Sequence, residues 1–397
     1  MSGRFYDVVI VGAGPAGSHA AYELASSGYS VAVLEEKSSL GLSICCTGII
    51  STECFQSLHL DTDTILTKVN SAKFFSPSGR CLRLPTKKVQ AFVVNRLLLD
   101  KALAARAQAE GAQYSFSSTV INIVPGKENI RVQTSYCGAE ETFSARAVVL
   151  ANGFSPKLPN KLGLGRIKRF LIGAQAEIEA QDIDEFEVYF GQRIAPGGFA
   201  WLVPTSTNKA YAGLLATSRA KLYLQKFLNS LFGQGRVTSR DVEIGQRAVT
   251  MGTLTRSYGD RLVVVGDAAG QVKPTTGGGI YFGHLGAQIA AEVLDVALSS
   301  DNLSADQLAC YEKKWRAKMG KELSRGYGAR WAYSKLSDRQ IEGIFNALDS
   351  NGMAGTLLSS NNFSFDWHSK LILTVLGRTS AYPLLKIRHF FLREVGS

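Results

Sequence analysis

Residues 7–37, which read DVVIVGAGPAGSHAAYELASSGYSVAVLEEK, contain the most specific pattern in the chain. The apolar run at 8–11 predicts a strand, and residues from about 16 to 26 predict a helix that ends before Gly28. A second apolar run at 31–34 predicts another strand. A strand, a helix and a second parallel strand form a βαβ unit. The chain therefore begins as an α/β fold with a parallel sheet.

Three glycines, Gly12, Gly14 and Gly17, lie between the first predicted strand and the helix. In a G-x-G-x-x-G pattern they allow a tight turn, close approach of a pyrophosphate to the backbone, and close packing of helix on strand. The N-terminus of the helix then presents unpaired N–H groups to the phosphates. Glu35 follows about 20 residues on, where a carboxylate accepts hydrogen bonds from ribose hydroxyls. The unit predicts a bound dinucleotide, but it does not distinguish NAD from FAD.

A second glycine-rich segment lies at residues 260–298. A predicted strand at 262–265 leads into Gly266-Asp267, and Gly277–Gly279 precede a long apolar helix. Each glycine at a helix start costs up to about 1 kcal/mol relative to alanine. We therefore expect a planar ligand to touch the backbone here, with helix N–H groups facing a developing negative charge.

The two segments together resemble the FAD-dependent geranylgeranyl reductase family, within a larger group of flavoproteins that includes aromatic hydroxylases. The resemblance covers about residues 5–335. It implies that Gly-Asp binds the ribityl and phosphate part of FAD, and that P-x-T-G-G-G lies against the isoalloxazine ring. The implied cofactor contacts are Gly12, Gly14, Ala16, Gly17, Glu35, Glu36, Cys46, Thr47, Arg96, Gly266, Asp267, Pro274, Gly277, Gly278, Gly279 and Ile280.

The helix predicted at 95–112 begins with Arg96. The resemblance implies that this arginine reaches the FAD pyrophosphate, because a guanidinium can chelate phosphate; an ordinary helix-start arginine is the alternative. Many relatives have Asp-Gly where this chain has Asn152-Gly153. Asparagine keeps the turn but lacks the charge, so binding of a nicotinamide is left open.

Residues 199–204, FAWLVP, match the aromatic-x-Trp-x-hydrophobic-Pro motif of the geranylgeranyl reductases. Strand alternation places Phe199 and Trp201 on one face, and the motif implies a substrate pocket formed by Phe199, Trp201 and Pro204. Packing of the two rings in a sheet core is the alternative. Flavin-dependent halogenases carry a similar W-x-W-x-I-P motif, in which the first tryptophan replaces Phe199.

Two adjacent cysteines, Cys45 and Cys46, follow the first unit. The six cysteines form no CxxC pair and no Cys/His spacing typical of metal sites, so we expect reduced thiols and no metal. Cys46 matches a cysteine that archaeal relatives carry in a C-G-x-G loop beside the flavin, although those glycines are not reproduced.

Saturating an isolated alkene needs a hydride on one carbon and a positioned acid that protonates the other. A neutral thiol tolerates apolar surroundings better than a carboxylic acid does. We therefore predict that Cys46 donates this proton or shapes the approach of the substrate, while Cys45 packs in the core. A small buried hydrophobe is the alternative role for Cys46.

Composition and charge limit the classes of partner. The chain has 397 residues and 45% hydrophobic content, which indicate a globular protein. Its net charge of +11 favours an anionic partner. We find no nucleic-acid-binding signature, no secretory signal and no apolar run long enough to cross a membrane. The basic, apolar segment 368–397 suits contact with an anionic bilayer, or else a helical cap on the protein. We expect a cytoplasmic protein, with a peripheral position on the inner face of the membrane as a candidate.

The predicted fold class is α/β: a Rossmann-type, glutathione-reductase-like FAD domain, an inserted antiparallel-sheet substrate domain and a helical C-terminal region. The FAD domain is expected to be discontinuous. Its segments are 1–70, 88–165 and 245–305; the substrate domain comprises 71–87 and 166–244, and the helical region 306–397.

The function that the resemblance implies is reduction of C=C bonds in polyprenyl chains of lipids or related isoprenoids, with NAD(P)H or reduced ferredoxin as the electron donor. The residues alone leave three alternative functions open. They are a monooxygenase or halogenase of the same fold, a quinone-linked electron-transfer flavoprotein, and a flavin-loaded scaffold. The chain lacks the Cys₄ spacing of an iron–sulfur module, which disfavours the second.

Overall fold

The computed structural model describes residues 4–42, 45–86, 88–136, 138–350, 364–370 and 372. The strands are β1 (Arg4–Val11), β2 (Val31–Leu34), β3 (Ile49–Ser51), β4 (Ile65–Val69), β5 (Ser71–Phe75), β6 (Cys81–Pro85), β7 (Ala91–Val94), β8 (Gln113–Ser115), β9 (Ser118–Pro125), β10 (Ile130–Tyr136), β11 (Ala139–Leu150), β12 (Phe170–Glu179), β13 (Phe186–Tyr189), β14 (Phe199–Ser206), β15 (Lys209–Ala216), β16 (Gly245–Thr250), β17 (Tyr258–Gly259) and β18 (Leu262–Val264). The α-helices are α1 (Pro15–Ser26), α2 (Thr52–Ser57), α3 (Arg96–Ala109), α4 (Lys157–Lys161), α5 (Ala220–Gly233), α6 (Ile280–Ser299), α7 (Ala305–Trp315), α8 (Lys321–Tyr333) and α9 (Asp338–Ser350).

The first sheet has the order β17-β18-β11-β1-β2-β8, with the β9–β10 hairpin attached to β11. β18, β11, β1, β2 and β8 run parallel to one another, so their carboxyl ends share one edge. Apolar side chains of α1, α3 and α6 pack against one face, and those of β9, β10 and α4 form a second core on the other. The predicted Rossmann-type α/β fold is confirmed.

The second sheet has the order β16-β12-β15-β14-β13-β5-β6 and is covered by α5. The hairpin predicted within 71–87 forms β5 and β6 of this sheet. Two features differ from the sequence-based expectation. β5 runs parallel to β13, so the sheet is not purely antiparallel. β16, at 245–250, pairs with β12 of the second sheet. The boundary predicted before residue 245 had placed β16 in the FAD domain instead.

Helices follow the second glycine-rich segment, as predicted for the region after residue 306. α7 packs on β18, where Tyr311 donates to the Val264 carbonyl at 2.7 Å and the Trp315 indole donates to Ser257 at 2.8 Å. Both aromatic side chains are fully buried. None of the helices in the described ranges is long and apolar enough to span a bilayer. Residues 373–397, most of the predicted membrane-binding segment, lie outside the described residues.

A buried ion pair joins β13 to the segment that follows α5. Glu187 on β13 is 1% exposed, and the Arg236 guanidinium donates to both of its carboxylate oxygens at 3.0 and 2.9 Å. The Tyr189 hydroxyl also donates to Glu187. Without Arg236, Glu187 would keep, among the described residues, only the longer pair with Lys73, whose Nζ lies 3.9 Å from Oε1.

We therefore predict that Arg236→Met lowers the free energy of unfolding by about 1–3 kcal/mol, because Glu187 loses its two charge-assisted hydrogen bonds from the guanidinium. Lys209→Met is the matched control, because Lys209 pairs with Glu177 at 3.1 Å on the exposed surface. Such a pair contributes less than about 1 kcal/mol. Urea unfolding of both variants measures the difference, and equal losses would contradict the assignment.

Candidate active site

One cavity of about 1560 Å³ extends from the carboxyl edge of the first sheet to the second sheet. Gly12 and Gly14 line one part of it, Gly277–Gly279 line another, and Phe199 and Trp201 line the side formed by the second sheet. The structure therefore brings both glycine-rich segments and the aromatic motif to one space, although they are far apart in the sequence.

The first glycine turn is shaped by close backbone contacts. Gly12 has φ +104°, and a Cβ there would lie 2.5 Å from the Ala151 carbonyl oxygen. A Cβ on Gly17 would overlap the Gly12 carbonyl oxygen. Gly14, by contrast, has no protein atom within 4 Å of the Cβ position, although it lines the cavity. Gly12 and Gly17 thus leave no room for a side chain, and the space beside Gly14 is open to a ligand.

The acidic end of β2 supports this turn. Glu35 Oε2 accepts a hydrogen bond from Ala13 N at 2.8 Å, and Oε1 accepts one from Lys37 N at 3.1 Å. Glu35 and Glu36 both line the cavity. A carboxylate fixed at this position retains lone pairs for ribose hydroxyls.

The second glycine turn lies beside the first. Gly266 follows β18 with φ +65°, and a Cβ there would meet the Ala16 side chain at 3.0 Å. Gly279 precedes α6, whose N-terminus has no side-chain cap. Gly279 and Ile280 line the cavity, so the unpaired N–H groups of this helix start border it.

Arg247 is a cavity residue that no sequence motif indicated. It lies on β16, and its Nη2 is 2.9 Å from Asp267 Oδ2 beside the second glycine turn. Both side chains line the cavity. This ion pair connects the two sheets at the site.

The two adjacent cysteines both line the cavity and both are half-buried. The prediction that Cys45 packs in the core was therefore wrong; partial burial raises the pKa of its thiol. Cys46 interacts with the buried Arg96 guanidinium, which also pairs with Asp100 at 2.8 Å. Burial opposes the charge of Arg96, but Cys46 and Asp100 outweigh it and raise the arginine pKa.

Of the three residues predicted to form a substrate pocket, two line the cavity. The rings of Phe199 and Trp201 line the cavity with centroids 5.7 Å apart, on one face of β14 as the alternation predicted. Pro204 does not line it, because it is buried in the β14–β15 ladder opposite Ala210. Pro274 does not line it either and lies against Gly326 of α8.

Residues 364–370 supply further cavity contacts that no sequence motif indicated. Asp366 pairs with Lys273 at 2.9 Å, and both side chains are buried. His368 Nδ1 accepts the Thr275 hydroxyl at 2.6 Å, while its Nε2 donates to the Phe365 carbonyl at 2.9 Å. Burial, with a contribution from Lys273, lowers the pKa of His368 to about 3, so this ring is neutral. The segment is thereby fixed to the loop that precedes Gly277.

The residues present fit an FAD molecule. The open space beside Gly14 and the uncapped start of α6 suit negatively charged or polarised groups. Arg96 Nε is buried and has no hydrogen-bond partner in the described part of the chain, although the residue lines the cavity. No group of three or more potential metal ligands occurs among the described residues.

Comparison with known proteins identifies the family. Residues 6–186 match the pyridine nucleotide-disulphide oxidoreductase family, and residues 170–249 match the geranylgeranyl reductase catalytic domain. A digeranylgeranylglycerophospholipid reductase of Methanocaldococcus jannaschii is 33% identical over 356 residues, which are 86% of this chain and 90% of that protein. The chain belongs to the geranylgeranyl reductase family. It is accordingly an FAD-dependent oxidoreductase.

Solved structures show the same fold. A geranylgeranyl bacteriochlorophyll reductase-like protein from Thermoplasma acidophilum superposes with a TM-score of 0.85 at 23% identity, covering 97% of this chain and 99% of that one. A mutant of a flavin-dependent brominase superposes with a TM-score of 0.70 at 16% identity, covering 99% of this chain and all of its own. The fold is therefore shared by enzymes whose names denote different reactions.

We predict that Gly14→Ala weakens FAD binding at least about tenfold with little change in the stability of the apoprotein. The added methyl group contacts no protein atom but occupies the space assigned to the cofactor. Gly17→Ala should instead destabilise the apoprotein, because its Cβ overlaps the Gly12 carbonyl oxygen. FAD titration and urea unfolding of the two apoproteins separate these effects. Wild-type FAD affinity in Gly14→Ala would contradict the assigned phosphate site.

Proposed function

We propose that this protein saturates C=C double bonds in the geranylgeranyl chains of lipids or related isoprenoids. The observation that carries the proposal is the single cavity that joins the glycine-lined edge of the first sheet to the aromatic wall of the second. The match to the geranylgeranyl reductase catalytic domain and the names of the relatives support it.

Different residues of the protein would hold different parts of the cofactor. Gly12, Gly14 and Arg96 would hold the pyrophosphate, and Glu35 the ribose. Gly277–Gly279 and the start of α6 would face the ring. Bound FAD, once reduced, supplies the hydride. The N–H groups at the start of α6 would stabilise negative charge on the cofactor that they face.

The aromatic wall would hold the prenyl chain. Phe199 and Trp201 offer apolar ring faces, and Phe190 adds a third ring at 6.3 Å from Phe199. Burying an isoprenoid chain against them is favourable by about 25 cal/mol per Å² of apolar surface removed from water. The same surfaces exclude water from the double bond.

Cys46 is our proposed proton donor. The hydride forms a C–H bond at one alkene carbon, and the Cys46 S–H bond breaks as its proton passes to the other carbon. The sulfur is left as a thiolate, which the adjacent Arg96 guanidinium stabilises. Solvent then returns a proton to the Cys46 thiolate, which restores the enzyme. The alkene has gained two electrons and two protons overall.

The electron donor and the location of the substrate belong to the same proposal. The donor is NAD(P)H or reduced ferredoxin. Asn152 lines the cavity and its Oδ1 is buried without a partner in the described part of the chain, so this position offers an amide and no charge. We propose that the enzyme takes its lipid from an anionic membrane surface, which the net charge of +11 favours.

A monooxygenase or halogenase is the second candidate, because the brominase shares the fold. Phe199 in place of the first halogenase tryptophan disfavours it. Incubation of the reduced, FAD-loaded enzyme with a geranylgeranyl lipid distinguishes the two: mass spectrometry should show gains of two hydrogens per reduced bond. Incorporation of oxygen or halide without such gains would contradict the proposal.

We predict that Cys46→Ala lowers single-turnover alkene reduction by about 10²–10⁴-fold with pre-reduced flavin, because the proton donor is lost. Cys45→Ala is the matched control, since the neighbouring thiol has no assigned role, and it should stay within about threefold of wild type. The flavin content of both variants checks that the cofactor site is intact. Unchanged turnover in Cys46→Ala would exclude a chemical role for this thiol.

A further inference from the structure

Arg330, a cation that lines the cavity, lacks the carboxylate partner that several other cations there have in the described part of the chain. Three other basic side chains each form an ion pair with a carboxylate in or beside the cavity: Arg96 with Asp100, Arg247 with Asp267 and Lys273 with Asp366. Arg330 of α8 lines the same cavity, and its Nε and Nη2 are buried with no hydrogen-bond partner in the described ranges. Its burial lowers the arginine pKa to about 10, which still leaves it charged at neutral pH.

Two further hydrogen-bond donors without partners line the same cavity. The Tyr333 hydroxyl and the Trp201 indole nitrogen are also buried with no partner within the described part of the structure, and both residues line the cavity. Arg330 Cζ lies 5.2 Å from the centre of the Phe199 ring and 5.9 Å from that of Tyr333. The Trp201 ring centre lies 5.7 Å from that of Phe199. We call Arg330 and Tyr333 the donor cluster.

The unpaired donors of this cluster destabilise the folded protein unless a ligand accepts their hydrogen bonds. An unsatisfied buried donor costs about 1–3 kcal/mol, and an unpaired buried charge costs several kcal/mol. The Phe199 and Tyr333 rings offset part of the cost for Arg330 through cation–π attraction. A group with several acceptor oxygens and a negative charge would satisfy the Tyr333 hydroxyl and the Arg330 guanidinium together. Phosphate has these properties, and the guanidinium fork matches its geometry.

We infer that the donor cluster binds the phosphate group of the prenyl substrate inside the cavity. The inference rests on the proposed function, because it assigns the headgroup end of the same substrate. The phosphate can belong to a prenylated glycerophospholipid or to a free prenyl diphosphate, which share this chemistry. Fixing the phosphate beside Phe199 places the first isoprene units along the aromatic wall and so sets which double bonds reach the flavin.

Binding to the FAD-loaded enzyme tests the subsite without relying on turnover. Isothermal titration would compare three probes: digeranylgeranylglyceryl phosphate, geranylgeranyl diphosphate and the neutral digeranylgeranylglycerol. Arg330→Met should weaken binding of a phosphate probe by roughly 10- to 100-fold, the loss expected for charge-assisted hydrogen bonds. Binding of the neutral lipid should change less than about twofold, because methionine preserves the apolar surface.

Matched variants separate the charge from the fold. Arg325→Met is the control, since Arg325 lies on the same helix but does not line the cavity, and it should bind all probes as wild type does. Arg330→Lys should recover part of the phosphate affinity, because lysine keeps the charge but loses the planar fork. Tyr333→Phe removes one donor with little change in shape, so it should show a smaller, phosphate-specific loss even if Arg330→Met fails to fold.

The outcomes distinguish this inference from the proposed function. A loss confined to the lipid phosphate supports a membrane lipid as the source, and a loss confined to the diphosphate supports a free precursor. Equal effects on charged and neutral probes, or none on either, would overturn the phosphate subsite while the proposed function stands. Failure of wild-type protein to bind any of the three probes would overturn both.

Discussion

The site depends on the absence of side chains at one edge of a parallel sheet. Gly12 and Gly266 end β1 and β18, the two strands that flank β11, and both have positive φ. Only glycine adopts this conformation readily. A Cβ on Gly12 would press on the backbone of Ala151 at the end of β11. Because these turns are so close, the starts of α1 and α6 face one cavity and can act on one cofactor.

A second set of contacts closes the cavity from the other sheet and from the C-terminal region. The Arg247–Asp267 pair joins β16 to the second glycine turn, and the Lys273–Asp366 pair joins the glycine-rich loop to residues 364–370. These pairs neutralise two cations at the end of the cavity assigned to the flavin. Arg330, which has no carboxylate partner in the described part of the chain, lies at the aromatic end. Charge is therefore distributed unevenly, with paired groups near the ring site and unsatisfied donors where the substrate is proposed to lie.

The sequence was informative where a function imposes a local spacing. The glycine turn at 12–17 and the alternation at Phe199 and Trp201 could be read directly, because each depends on neighbours within a few residues. The sequence was less informative where a contact joins distant segments. Nothing local indicates that Arg247 meets Asp267, or that Asp366 reaches Lys273.

Other differences arose because a motif residue can serve the fold rather than the ligand. Pro204 and Pro274 were predicted from motifs to contact substrate or cofactor, but one lies within a strand ladder and the other packs on α8. Cys45 was predicted to be buried because adjacent side chains usually diverge, but the loop exposes both thiols to the cavity. A charge that lacks a carboxylate partner among the described residues, such as Arg330, becomes visible only when its surroundings are known.

The central claim is that one cavity holds FAD and a prenyl chain side by side. Native mass spectrometry of the purified protein, with a geranylgeranyl lipid added, tests it most directly. We expect a ternary species with one FAD and one lipid per chain, and a Phe199→Asp variant that keeps the FAD but not the lipid. Mutually exclusive binding of FAD and lipid, or protein that takes up no flavin, would contradict it.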